Sequence, residues 1–203
     1  MKPILFNTEM VRAILEGRKT VTRRVIKPRY RDDEYGWTVC INSYTHLVDD
    51  VAYTDGEGAC TRSMKPSYQV GDILYIRETW REYNGKYFFK ANEPKEYDDY
   101  KTSPKWKPSI HMPKEAARIF LKVTDVRVEK LQDITPKQAG NEGVSWETDN
   151  SGQFRRWQFH KLWDSTIHKK DLDEYGWNAN PWVWVIEFER FEKGGENVQE
   201  YRY

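Results

Sequence analysis

Along the chain the apolar positions change their period several times, and each change marks an element. Over residues 8–17, Val11, Ile14 and Leu15 recur at helical spacing, Thr8 can cap the start and Gly17 can take the left-handed stop, which predicts a short helix. Residues 20–26 then mix β-branched with basic side chains and end at Lys27-Pro28, the pattern of a strand. Residues 29–67 are polar and turn-rich and read as an insertion, with one strand pair over 37–41 and 46–53. A mixed apolar run over 73–80 predicts a strand leaving the core, and the Asn84-Gly85 turn supplies it with a short partner over 87–91. The proline-rich stretch 94–113 reads as a wrapped loop.

The clearest strand spans 116–130, where Ile119, Leu121 and Val123 share one parity and Val126 and Val128 the other. Thr135 and Pro136 then open a short helix that ends near Gly140, the hydroxyl as cap and the proline in the first turn. Residues 154–167 predict an amphipathic helix with Trp157, Leu162 and Trp163 as burial candidates, and 181–191 a closing strand. Strands outnumber helices, which predicts a small α+β domain of barrel-like type. One domain over 1–191 is expected, with insertions at about 29–67 and 82–113 and a charged tail over 192–203.

Composition narrows the function classes. Lys plus Arg is 33 and Asp plus Glu 32, a formal net charge of +1, so any anion site must be local rather than a bulk basic surface. Charged residues are 32% of the 203, yet nine Trp, thirteen Tyr and eight Phe supply the apolar area of a folded core. No stretch approaches the ~20 apolar residues that cross a bilayer, and the N-terminus carries charge too early for a signal peptide, so a cytoplasmic protein without membrane partners is expected. Cys40 and Cys60 then read as free thiols. No metal site is indicated, since the four histidines are widely spaced and Cys40, His46 and Cys60 make at most a partial ligand set.

Chemistry concentrates where the first helix meets the first strand. Gly17-Arg18-Lys19-Thr20-Val21-Thr22-Arg23-Arg24 fits G-x-K-x-x-x-x-R between a helix and a strand. With the Gly71-Asp72-Ile73-Leu74 strand opening, the strand-to-helix run from Ile119 to Asn141 and the closing Ile186-Glu187-Phe188, the chain resembles the ASCH family of the PUA-like superfamily. Its opening KPILFNTEMVRAILEGRKTVTRR and central WKPSIHMP look like the larger ASCH proteins of phages and prophages. The resemblance implies a PUA-like β-barrel with short flanking helices and two long insertions. Small bacterial members are N4-acetylcytidine amidohydrolases, in which a lysine accepts a proton, a threonine three residues on is the nucleophile and a glutamate beyond a short helix donates a proton. Carried over, those roles fall on Lys19, Thr22 and, through Thr135-Pro136-Lys137-Gln138-Ala139-Gly140-Asn141-Glu142, on Glu142. No cofactor is called for.

Amide cleavage needs such a nucleophile, base and acid, and Lys19 must be neutral to serve as base. Strict strand alternation sets Lys19 on the opposite face from Thr20 and Thr22, so the triad requires a bend at the helix–strand junction. Arg24 is a candidate substrate contact in the same motif; Arg77 and Glu78 are candidates for reading a base edge, Trp80 for stacking on the base and His111 for a loop contact. Each also has a plain structural reading: a solvated basic strand, a strand-end salt bridge, a core tryptophan, a loop histidine. The expected partner is a modified nucleoside or single-stranded RNA. Two other functions remain open on the same residues, a non-catalytic RNA-binding module and a ribonuclease using Lys19.

Overall fold

The backbone sets its apolar side chains on both faces of one five-stranded sheet, and helices cover each face. The structure, a computed structural model, describes residues 1–27, 37–41, 48–54, 60–93, 105–144 and 152–192, with the backbone alone at 37–41, 48–50, 52–54, 60–63 and 152. In chain order the elements are β1 (Lys2–Leu5), α1 (Thr8–Leu15), β2 (Val21–Val25), β3 (Trp37–Ile41), β4 (Val48–Thr54), β5 (Cys60–Ser63), β6 (Ile73–Arg77), β7 (Trp80–Tyr83), β8 (Lys86–Phe89), β9 (Phe120–Lys130), α2 (Pro136–Asn141), α3 (Gly152–Thr166), α4 (Leu172–Tyr175) and β10 (Trp182–Arg190). The main sheet has the order β1-β6-β9-β10-β2, with β1 parallel to β6 and every other pair antiparallel. The strand pair expected in the first insertion is present as β3 with β4, and β5 extends it to three strands.

The expected closed β-barrel is not formed. β1 and β2 are the two edges of the sheet and share no backbone ladder. What joins them is a side chain, because Arg24 Nη2 of β2 donates to Leu5 O at the end of β1 over 2.9 Å. After α1 the backbone bonds back to Ala13 O and across to Asn141 O at the end of α2, and not to β1.

On one face Val11 and Ile14 of α1 pack with Ile4, Phe6, Leu74, Ile76, Leu121, Val123, Ile186 and Phe188. On the other, Ala139 of α2 and Phe159 and Trp163 of α3 pack on Val21, Val183 and Val185. β10 alternates between the two clusters, so it is covered on both sides. A register shift between Glu187 and Phe188 leaves Thr124 of β9 without a partner; Leu121, Val123 and Val126 therefore stay on the α1 face while Asp125, Arg127 and Glu129 share the other.

Local chemistry explains the element ends, with two corrections. α1 is capped by Asn7, whose Oδ1 accepts from Met10 N at 2.9 Å, rather than by Thr8, which is already the first helical residue. Trp157 is 52% exposed and stacks on Phe154, so the buried aromatics of α3 are Phe159 and Trp163, one helical turn apart. α2 carries a full capping box between Thr135 and Gln138 with Pro136 in its first turn. The Asn84-Gly85 turn, both residues at positive φ, joins β7 to β8; the expected strand over 73–80 instead ends at Arg77 as β6, which pairs with β1 and β9 and not with the strand after the turn. Residues 94–104 of the wrapped loop and 193–203 of the tail lie outside the described residues, and no helix among the described residues is long and apolar enough to cross a membrane.

Candidate functional site

The site is built at the seam the sheet leaves open. At the end of α1, Gly17 turns with φ +75°, and the amides of Arg18 and Lys19 both donate to Ala13 O, at 2.8 and 3.0 Å. The chain then meets the end of α2: Thr20 N donates to Asn141 O, and Lys19 and Glu142 pair as an isolated antiparallel bridge. β2 begins only at Val21, so Lys19 is not bound by its alternation. This is the bend that the spacing required. Lys19 Nζ and the Arg24 guanidinium stand over the same Phe6 ring, at 5.6 and 5.5 Å from its centre. Thr22 shares Arg24's parity and lies opposite Ile186, a member of the Phe6 cluster, so its side chain faces that side too.

Lys19 and Glu142 are thus brought together and Thr22 lies on the Phe6 side of β2; all three are buried, at 3%, 4% and 4% exposure. Lys19 Nζ donates to Glu142 Oε2 at 2.7 Å, to Glu142 O at 2.9 Å and to Val21 O at 2.7 Å, which uses every proton of an ammonium. It therefore does not donate to Thr22, whose hydroxyl has no hydrogen-bond partner among the described residues. Burial pulls the Lys19 pKa below the ordinary lysine value; Glu142 opposes this, and Arg24 and Arg23 add to it. Glu142 sits at the C-terminal end of α2, where carbonyls repel a carboxylate, and the cations of Lys19 and Arg23 offset that repulsion.

Two residues that were given no role in the carry-over complete the site. Arg23, whose side chain is fully buried, bridges Glu142 Oε1 at 3.2 Å and Glu129 Oε2 at 2.9 Å. Its signal was available in the basic run before Val25, but which of the two arginines turns inward depends on the sheet. Phe6, immediately before the α1 cap, forms the apolar wall under Lys19 and Arg24.

Arg24 is exposed at the surface, yet the protein crowded about its guanidinium lowers its pKa, a shift that Tyr68 and Glu142 oppose; burial raises the Tyr68 pKa. Beyond its bond to Leu5 O, its remaining donors are uncommitted among the described residues.

The other four candidates lie at and beyond the end of β6, where Arg77 is in register with Leu5 of β1 and its carbonyl accepts from Phe6 N at 3.3 Å. Arg77 donates to Met112 O at 2.9 Å and to Ile110 O, holding the one-turn helix of Ser109–His111, where His111 is exposed. Glu78 is 1% exposed and bound by Arg118 through both oxygens, at 2.9 and 3.0 Å. Trp80 is 4% exposed and packs with Met112 and Ala116, with Lys107 over its ring and Tyr87 at its edge. No hydrogen bond or ion pair joins any of these four to Lys19, Thr22, Arg24 or Glu142. For Glu78 and Trp80 the structural reading fits their burial. Among the described residues no group of three or more His, Cys, Asp or Glu is placed to hold a metal ion.

Gly143 locks the geometry. It has φ +93°, and a Cβ there would stand 2.8 Å from Ala13 Cβ and 3.1 Å from Lys19 Cβ. Gly143→Ala is expected to destabilise the fold by about 2–4 kcal/mol, from strain plus overlap, and to push Lys19 off Glu142. Thermal unfolding checks the first effect; an unchanged melting temperature would refute the close packing.

Comparison of the chain with family models, with curated proteins and with solved structures returns no match. The functional reading therefore rests on the residues and their geometry.

Proposed function

We propose that this chain is an amidohydrolase of the ASCH type that removes an acyl group from the exocyclic nitrogen of a cytosine-type nucleoside or base. The observation that carries the reading is the buried 2.7 Å contact between Lys19 Nζ and Glu142 Oε2 at the start of β2, the strand that carries the buried Thr22. A proton moving along that contact converts the ion pair into a neutral amine and a protonated carboxyl, the forms that a base and an acid require. Burial favours the neutral form of Lys19.

Neutral Lys19 takes the Thr22 hydroxyl proton as Oγ1 attacks the acyl carbon. Glu142 gives its proton to the departing exocyclic nitrogen as the C–N bond breaks, leaving an acyl-threonine, a lysine cation and a carboxylate. Water then attacks the ester: Glu142 takes its proton, Thr22 Oγ1 leaves with the proton of Lys19, and the starting forms return with one carboxylic acid released. Arg24, exposed and with donors free, is placed to take a polar group of the substrate. The expected pH profile follows from the Lys19 shift. Since the base is the neutral amine, its acid limb lies below the ordinary lysine pKa of ~10.4.

Incubation with N4-acetylcytidine, followed by chromatography, is expected to release cytidine, and release is expected to vanish in Lys19→Ala and Thr22→Ala. A folded protein that releases none loses this substrate assignment. A second reading, a nucleic-acid-binding module, is favoured by one observation: every proton of the Lys19 ammonium is already committed within the protein, as in a structural ion pair. It predicts salt-dependent binding of single-stranded RNA without turnover.

A further inference from the structure

A line of alternating charge starts on the helix-covered face of the sheet opposite α1 and ends at Lys19, before the start of β2 and over Phe6. Val185 of β10 lies opposite Arg23 on β2 and opposite Arg127 on β9, so the two arginines flank one valine across the sheet. Glu129 stands between them, with Oε1 2.6 Å from Arg127 Nε and Oε2 2.9 Å from Arg23 Nη2. Arg127 is held in turn by Asp125 at 2.7 Å and Glu187 at 2.6 Å, three carboxylates that raise its pKa. The line therefore runs Arg127, Glu129, Arg23, Glu142, Lys19, and side-chain exposure falls along it from 32% through 18% to 0%, 5% and 2%.

We infer that Glu129 and Arg127 are positioning residues that set, through Arg23, the protonation of the Lys19–Glu142 pair without touching it. Arg23 shares its charge between two carboxylates. The more fully Glu129 neutralises it, the less it favours the anionic form of Glu142 and the less it opposes the cation on Lys19; Arg127 decides how much of Glu129's charge is free to do so. The register shift in β9 makes this possible, because it turns Asp125, Arg127 and Glu129 to the Arg23 face.

Other charged groups near the pair act from different directions. Arg24 and, beside it, Tyr68 stand on the Phe6 side. Arg18 is bound to Gly143 O and Glu16 at the end of α1. From α2, Lys137 is exposed and Gln138 Nε2 reaches Glu129 Oε1 at 3.4 Å, while Arg156 of α3 donates to Gln132 O. Among the described residues Arg23 is the charged side chain that bonds both Glu129 and Glu142; Gln138 joins them through neutral groups, its Nε2 at Glu129 and its carbonyl accepting from Glu142 N at 3.0 Å.

The inference rests on the proposed function for its catalytic meaning but is testable without turnover. Glu129→Gln keeps the shape and removes the charge; Arg127→Gln removes the cation and leaves Glu129. Lysine labelled with ¹³C at the ε position, with the Lys19 resonance assigned by its loss in Lys19→Met, reports the titration of the pair. Removing the anion is expected to lower that titration by about half to one pH unit, and removing the cation to raise it by less. The pH profile of acyl release should move the same way in each variant.

Opposite signs that disappear when Arg23→Gln is added to each variant support the relay, because direct Coulomb action of Glu129 and Arg127 on Lys19 gives opposite signs whether or not Arg23 is present. Shifts of the same sign, none, or opposite shifts that persist without Arg23 overturn it. Opposite, Arg23-dependent shifts in a protein that releases no acyl group keep the relay and discard the amidohydrolase. If Glu129→Gln fails to fold, Arg127→Gln, partly exposed at the end of the line, decides alone: an upward shift that Arg23→Gln removes supports the inference and any other result overturns it.

Discussion

Lys19→Met is expected to abolish acyl release and to cost the fold about 3–5 kcal/mol, the price of leaving Glu142 in the interior without its nearest cation. The methionine fills similar volume, so the loss is electrostatic rather than a cavity. The double variant with Glu142→Gln should recover most of that stability and none of the turnover, since both the buried charge and the acid are gone. Denaturant unfolding of the single and double variants, beside the cytidine-release assay, separates the two effects. A single variant as stable as the parent would show that the pair is not buried as described.

The sign of the pH effect follows from the lowered pKa of Lys19. Between its folded value and the ordinary lysine value near ~10.4, the unfolded chain holds the proton and the folded one does not. In that window this residue's contribution to stability rises with pH, and below the window its buried cation counts against folding. Lys19→Met should lack this component, which a series of unfolding curves at increasing pH would reveal as a flatter dependence.

Thr22→Ala is expected to act the other way round, with turnover lost by a factor on the order of 10³ or more and stability changed by no more than about 1.5 kcal/mol. The hydroxyl has no hydrogen-bond partner among the described residues, so removing it orphans nothing and costs little more than a methyl contact. Thr22→Ser, which keeps the oxygen, should retain measurable release. Steady-state rates for the three proteins test this; turnover in Thr22→Ala within tenfold of the parent would remove threonine from the reaction and leave water as the attacking group.

Much of the secondary structure was legible because its signals are local. The parity change in the longest strand, from Leu121 and Val123 to Val126, was visible in the sequence and is the register shift that faces Arg127 and Glu129 toward Arg23. Thr135 and Pro136 announced α2, and with it the position of Glu142 one residue past the end of that helix. The Asn7 cap and the exposure of Trp157 were misread: a polar residue one step earlier caps equally well, and a helix face is buried only where a neighbour covers it. The spacing of Asp125, Arg127 and Glu129 by two was likewise a signal of one charged strand face, but nothing local tied it to Lys19.

The sequence alone determined the order of most elements, since caps and turns are properties of neighbours, and its resemblance to the ASCH family is what singled out Lys19, Thr22 and Glu142 for the proposed chemistry. Tertiary structure decided that the sheet stays open, that Lys19 leaves the strand alternation to meet Glu142, and that Arg23 turns inward while Arg24 remains exposed. Those outcomes depend on contacts between segments more than a hundred residues apart, as between Lys19 and Glu142. Burial then sets the charge state, because desolvation acts on a side chain only once distant segments have closed over it.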